Sequence, residues 1–165
     1  MIIRSATAAD VTDITTIYGH HVLHGLGTFE EIPPDGEDMA ERIARVSAAG
    51  LPWLVASDHT GVLGYAYAGP FRARAAYRFT VEDSVYVAPQ SMGRGLGRDL
   101  LAAVITACET AGMRQMLAVI GDSANAASIG LHASLGFTHT GVATAVGFKH
   151  DRWVDIVFMQ RALGA

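Results

Sequence analysis

Cysteine is nearly missing from this chain: Cys108 stands alone among 165 residues. One thiol closes no disulfide framework and supplies no cysteine metal cluster, so a reducing cytoplasm is the expected setting. Charge is sparse too, at 17% of residues, with a formal net charge of −4. Basic residues form no cluster longer than the Arg72, Arg74, Arg78 group, which leaves nucleic acid and anionic membranes as poor partners. No apolar run approaches the ~18 residues of a membrane span. The opening Met1-Ile2-Ile3-Arg4-Ser5 leads straight into a helical pattern without an apolar leader, so secretion is not expected. Cys108 itself closes the strongly apolar stretch Leu100 to Cys108, where a buried structural thiol is the expectation and not a nucleophile.

Apolar residues are plentiful at half of the chain, enough for one domain over residues 1–165 with a sizeable core. Ile2 to Arg4 reads as a short strand. Thr7-Ala8-Ala9-Asp10 resembles a capping box opening a helix, with Val11, Ile14, Ile17 and Tyr18 on one face and Gly25 and Gly27 at its end. Pro33 and Pro34 exclude helix from the following loop, and Met39, Ile43 and Val46 mark a second amphipathic helix stopped near Gly50. Trp53 to Ser57 and Val62 to Gly69 form a hairpin about Asp58-His59-Thr60-Gly61. Phe79 to Val87 is a fourth strand. Its alternation sets Val81, Asp83, Val85 and Val87 on one face and Glu82, Ser84 and Tyr86 on the other. A helix from about Gly97 to Ala111, a strand from Met116 to Ile120, a helix from about Asn125 to Leu135 and strands Phe137 to Val146 and Trp153 to Arg161 complete a mixed α/β order.

Between the fourth strand and the next helix lies Met92-Gly93-Arg94-Gly95-Leu96-Gly97-Arg98. Glycines let a backbone approach a ligand, and free N–H groups at a helix start suit an anion such as pyrophosphate, with Arg94 and Arg98 adding charge. A Rossmann reading fits poorly, because the turn follows a meander halfway along the chain and not an opening βαβ unit. Taken alone, such a turn more often merely bends the chain.

Val85-Tyr86-Val87-Ala88-Pro89, the glycine turn, and Asn125-Ala126-Ala127-Ser128-Ile129-Gly130-Leu131-His132-Ala133-Ser134-Leu135-Gly136-Phe137 together resemble the acetyl-CoA site of the GNAT N-acetyltransferases. The nearer likeness is to the phosphinothricin and methionine sulfoximine acetyltransferase branch. It rests on Gly27-Thr28-Phe29-Glu30, on Pro70 to Arg78, on Thr80-Val81-Glu82 and on Gly147-Phe148-Lys149-His150-Asp151-Arg152-Trp153-Val154-Asp155. The resemblance implies a mostly antiparallel mixed sheet splayed open at its fourth and fifth strands and flanked by helices. Acetyl-CoA then lies in the splay, contacted by Val85, Tyr86, Val87, Asn125 and Ser128, with its pyrophosphate on residues 92 to 98. Met92 departs from the Gln or Arg usual at that point of the family turn. A homodimer is a further implication, for which the closing apolar strands offer an interface.

Glu82 interrupts an apolar strand, where an unpaired carboxylate is costly to bury. It is either ion-paired with Arg72, Arg74 or Arg78 or, as the resemblance implies, a general base. His132 stands where many family members carry a tyrosine near the leaving sulfur, and either protonates the thiolate or assists deprotonation. Arg72, Arg74 and Tyr77 are either solvated surface or a fork for a substrate carboxylate. Thr28 and Phe29 are a pocket wall, although core packing explains Phe29 as well. Asn125 is a helix cap, a contact to the pantetheine arm, or both. His20, His21 and His24 lack a fourth ligand, so no metal is expected. The expected activity is transfer of an acetyl group from acetyl-CoA to the amine of a small amino-acid-like substrate in a ternary complex. The rivals are another amine, such as a polyamine, aminoglycoside or protein N-terminus, and a non-catalytic acyl-CoA-binding module.

Overall fold

The computed structural model describes residues 1–164. Its strands are β1 (Ile2–Ser5), β2 (Trp53–Asp58), β3 (Gly61–Pro70), β4 (Thr80–Val87), β5 (Gln115–Gly121), β6 (Thr138–Lys149) and β7 (Arg152–Ala162). Its helices are α1 (Val11–His24), α2 (Gly36–Ala48), α3 (Leu96–Thr110) and α4 (Ala126–Ser134). The strands form one sheet in the order β1-β2-β3-β4-β5-β7-β6. Every pairing is antiparallel except β4 with β5, as the mostly antiparallel mixed sheet requires.

Strand alternation decides which helix covers which face. Tyr86 on β4 meets Tyr18 of α1 edge-on at 5.0 Å between ring centroids. On the same side, Trp53 stacks on Tyr67 at 4.0 Å. The opposite face of β3 and β4 receives α3, whose Leu100 reaches the bare backbone of Gly64 and whose Gly97 abuts Val85 and Val87. The core lies in both layers, with Ile14, Val22 and Met39 buried on one side and Leu100, Leu101 and Val104 on the other.

Local chemistry explains the boundaries. Asp10 accepts the Thr7 N–H at 2.7 Å and a forked pair of bonds from Arg4, so a single 3₁₀ turn at Ala8–Asp10 precedes α1. The Asp35 carboxylate caps α2 by accepting the Asp38 N–H. The last two strands run longer than the sequence pattern suggests. β6 continues through Gly147 to Lys149 because a bulge between Ala143 and Gly147 absorbs the break in alternation, with Ala145 in a left-handed conformation and its N–H donated to Asp155.

Candidate active site

Strands β4 and β5 are paired only at Thr80 with Gln115, Val81 with Met116 and Glu82 with Leu117. Beyond Glu82 they separate, while β3 accompanies β4 as far as Val87 and β7 accompanies β5 to Gly121. The splay therefore falls between the fourth and fifth strands and exposes one backbone edge of residues 83–87 to a cavity.

The glycine turn sits at the mouth of this gap. Gly93 and Gly95 have φ of 75° and 80°, conformations that strain any residue with a Cβ. Gly97 serves differently: a Cβ there would meet Leu131 at 2.8 Å, so glycine lets α3 lie close to α4. No side chain caps α3 at Gly95, and its first N–H groups remain available to an anion.

Three cavities run in series from the turn. The first, about 470 Å³, is lined by Val85, Val87, Met92, Gly93, Gly95, Leu96, Gly97, Arg98, Asn125, Ser128 and His132 among others. The second, about 350 Å³, occupies the gap between Asp83–Tyr86 and Ala118–Gly121 and shares Val85, Met92, Asn125, Ser128 and His132 with the first. The third, about 270 Å³, lies on the α1 face, shares Ser84, Tyr86 and Gly121 with the second, and is walled by Thr28, Phe29, Tyr67 and Glu82. A path thus joins the glycine turn to Glu82 through the sheet.

Glu82 has no ion-pair or hydrogen-bond partner among the described residues, so the proposed alternative of pairing with Arg72, Arg74 or Arg78 is not realised. Burial, followed by the charge of Asp83, pushes its carboxyl above the ordinary carboxylate range. Asn125 caps α4 by accepting the Ser128 N–H at 3.1 Å and also lines the gap, so both of its expected roles are compatible. His132 is buried at 4% exposure. Its Nδ1 lies 2.7 Å from the Ser128 carbonyl and its Nε2 lies 2.9 Å from Asp83 Oδ2.

The remaining predicted residues divide. Thr28 is buried and bonds Tyr18 through its hydroxyl at 2.8 Å, while Phe29 is partly exposed and faces the same cavity as Glu82. Arg72 and Arg74 are exposed on the loop between β3 and β4 and line none of the three cavities. Arg72 lies over the rings of Phe71 and Tyr77 at 5.1 and 5.8 Å. Arg94 is exposed beside the first cavity and not in its wall.

Sequence reasoning missed three features. Asp83 was legible only as an acid on an apolar strand face, a position that demands a partner. A clamp joins Tyr18, Glu30 and Arg42, with Glu30 accepting from Tyr18 at 2.7 Å and from both ends of the Arg42 guanidinium. Lys149, the chain's only lysine, is 2% exposed and donates its ammonium to the Thr28 carbonyl at 2.8 Å. These partners are 12 to 121 residues apart, beyond the reach of local pattern.

Comparison with known proteins agrees with this geometry. Residues 3–158 match the family described as the acetyltransferase (GNAT) domain. The chain is 53% identical to a phosphinothricin N-acetyltransferase of Alcaligenes faecalis over 99% of its own length and 83% of that protein. It is 43% identical to an L-methionine sulfoximine/L-methionine sulfone acetyltransferase of Salmonella typhimurium, over 99% and 95% of the two chains. A Sinorhizobium meliloti phosphinothricin acetyltransferase solved with acetyl-CoA superimposes with a TM-score of 0.95 at 49% identity, covering 99% of this chain and 88% of that one. With the glycine turn, the splayed sheet and these relatives in agreement, the chain belongs to the GNAT acetyltransferases and is an acetyl-CoA-dependent N-acetyltransferase.

Proposed function

We propose that the acetyl acceptor is the amino or sulfoximine-type nitrogen of a small amino-acid-like molecule such as phosphinothricin, methionine sulfoximine or methionine sulfone. The observation that carries this reading is the passage from the glycine turn through the β4–β5 gap to an unpaired Glu82. The names of the relatives at 53% and 43% identity support the substrate class.

In this mechanism the glycine turn and Arg98 hold the pyrophosphate, and the open edge of Val85-Tyr86-Val87 takes the pantetheine arm and steadies the carbonyl oxygen. Glu82 accepts a proton from the ammonium, directly or through water, at a pH where its raised pKa makes it an effective base. Alignment of the two reactants supplies up to roughly 7–11 kcal/mol of the acceleration. Thr28 and Phe29 wall the amine pocket. Arg72, Arg74 and Tyr77 belong to its rim and meet a substrate carboxylate that extends beyond the third cavity.

The same reading includes a homodimer formed through β6 and β7 with a second copy, supported by Phe148 and Trp153, which pair at 5.1 Å between ring centroids while 54% and 66% exposed. Light scattering at the mass of two chains is the expected result. A cytoplasmic location is in keeping with the single buried thiol.

The test is thiol release from acetyl-CoA across methionine sulfoximine, methionine sulfone, phosphinothricin, ordinary amino acids, polyamines and an aminoglycoside. Release with the first three is expected. Release only with polyamines or the aminoglycoside would retain the transfer chemistry and discard the substrate class.

A further inference from the structure

Asp83 follows Glu82 on β4, and the pleat turns it to the opposite face, where it is 6% exposed against His132. A carbonyl oxygen only accepts, so the 2.7 Å contact from the Ser128 carbonyl requires a hydrogen on His132 Nδ1. The other nitrogen then faces a carboxylate oxygen at 2.9 Å. Two acceptors do not meet at that distance, so a proton lies between them. The pair is either an imidazolium against a carboxylate or a neutral imidazole against a carboxylic acid. In both forms it holds one proton more than a neutral histidine beside an ionised aspartate. Asp83 Oδ1 is buried without a partner among the described residues, and both side chains line the β4–β5 gap.

We infer that Asp83 is a positioning residue that fixes His132 in a proton-holding pair on the wall of the gap, making the pair the proton source for the sulfur released during acetyl transfer. The inference rests on the acetyl-transfer reading above. The balance is complete. Glu82 takes one proton from the substrate ammonium, the C–N bond forms as the C–S bond breaks, and the electron pair of that bond leaves on sulfur. The sulfur takes the proton held between Nε2 and Oδ2. The second proton lost by the nitrogen as it becomes an amide refills the pair through water, and Glu82 returns its proton to solvent. The products are the amide, the thiol and one solvent proton.

Other groups face the pair from each neighbouring element. Glu82 projects from the same strand on the opposite face and feels the Asp83 charge. Cys108 of α3 lies within electrostatic reach of Asp83. His21 of α1 lines the same gap, with its Nε2 2.9 Å from the Val87 carbonyl, and Arg161 of β7 donates to the Leu135 carbonyl at the end of α4. The aromatic edge-on contact with Phe137, at 5.0 Å, brings no charge. Burial works to lower the His132 pKa, but the Asp83 hydrogen bond and charge together with the Ser128 carbonyl outweigh it, and the net direction is up.

The test is a pH titration of the histidine ring signals of the full-length protein by NMR, with His132 assigned through His132→Asn. Wild-type His132 is expected to titrate above the ordinary 6.5, and Asp83→Asn to bring its midpoint down by about one pH unit or more. In parallel, Asp83→Asn should lower kcat about tenfold or more with little change in KM for acetyl-CoA. It should also move the alkaline limb of the kcat profile to lower pH, and cost nothing further in a His132→Asn background. A wild-type step at or below the ordinary value overturns the inference, even if Asp83→Asn fails to fold. An unmoved alkaline limb, or equal losses in both backgrounds, overturns it as well. Absence of thiol release with every amine would instead sink the acetyl-transfer reading and leave the histidine titration to decide whether the pair holds its proton.

Discussion

Two carboxylates stand one residue apart on β4, and the fold treats them in opposite ways. Glu82 faces the α1 side, unpaired at the wall of a cavity, while Asp83 faces α4 and is bound to a histidine in the interior. The pleat separates them where the pairing ends, since Glu82 is the last residue of β4 paired with β5 and Asp83 is the first beyond it. Under the proposed mechanism Glu82 accepts a proton, and it is left without a donor among the described residues while burial raises its affinity for one. A carboxylate that is to hold a neighbour in place is given that neighbour. Acidity and position, which compete on a single residue, are here assigned to two faces of one strand.

The sharpest way to break this comparison is Glu82→Gln. On the α1 face kcat should fall about 10²–10⁴-fold with KM for acetyl-CoA little changed, because the proton acceptor is lost and the cofactor channel is not. Stability should move the other way. A carboxyl whose pKa is raised by folding binds more protons folded than unfolded, so ionisation above that pKa weakens the fold. Removing the group should therefore raise Tm at pH 8 and leave it unchanged at pH 4. A Tm that falls at pH 8 would place a stabilising partner at Glu82.

Next in size is Gly147→Ala, which addresses the wall opposite Glu82. An added Cβ would come within 2.2 Å of the Phe29 ring, and displacing it should cost about 1–3 kcal/mol. If Phe29 shapes the amine pocket, KM for the amine rises roughly tenfold or more while acetyl-CoA saturation is preserved. Equal changes in both constants would assign Phe29 to packing alone.

Arg42→Ala releases the Glu30 end of the clamp with Tyr18 on the same face. A loss of about 1 kcal/mol in urea unfolding is expected for these partly exposed bonds, with a smaller effect on kcat than Gly147→Ala has on KM. The smallest effect belongs to the α3 face. Burial, with the nearby charges of Asp83 and Glu109, pushes the Cys108 thiol up to about 12, so it should stay unreactive toward a chromogenic thiol reagent at pH 8 until the protein is unfolded. Prompt labelling of the native protein would show that the face opens.

Much of this arrangement was legible in the sequence for local reasons. The three glycines, the cap at Asn125 and the alternation of residues 81 to 87 are short-range patterns, and each follows from backbone geometry or side-chain direction. The place where β4 and β5 part came from the resemblance and not from pattern, because no local signal says where two strands distant in sequence stop pairing. Asp83 appeared as one member of an apolar face, and its partner lies 49 residues away. Arg72 and Arg74 show the converse. Nearness in sequence to Glu82 does not bring them into the cavity walls: the Phe71 N–H bonds back to the Thr80 carbonyl, and both arginines lie exposed on the loop between.

Lys149 carries a consequence for how the enzyme handles its own reagent. A thioester acylates exposed amines without assistance, and an acetyltransferase spends its existence beside one. Here the chain's only side-chain ammonium is held against the Thr28 carbonyl with 2% of the residue exposed. The folded protein presents no lysine to be acetylated by accident. Acetyl groups appearing at Lys149 would therefore report departure of the Thr28 loop from β6, and mass spectrometry of protein incubated with acetyl-CoA would read that opening directly.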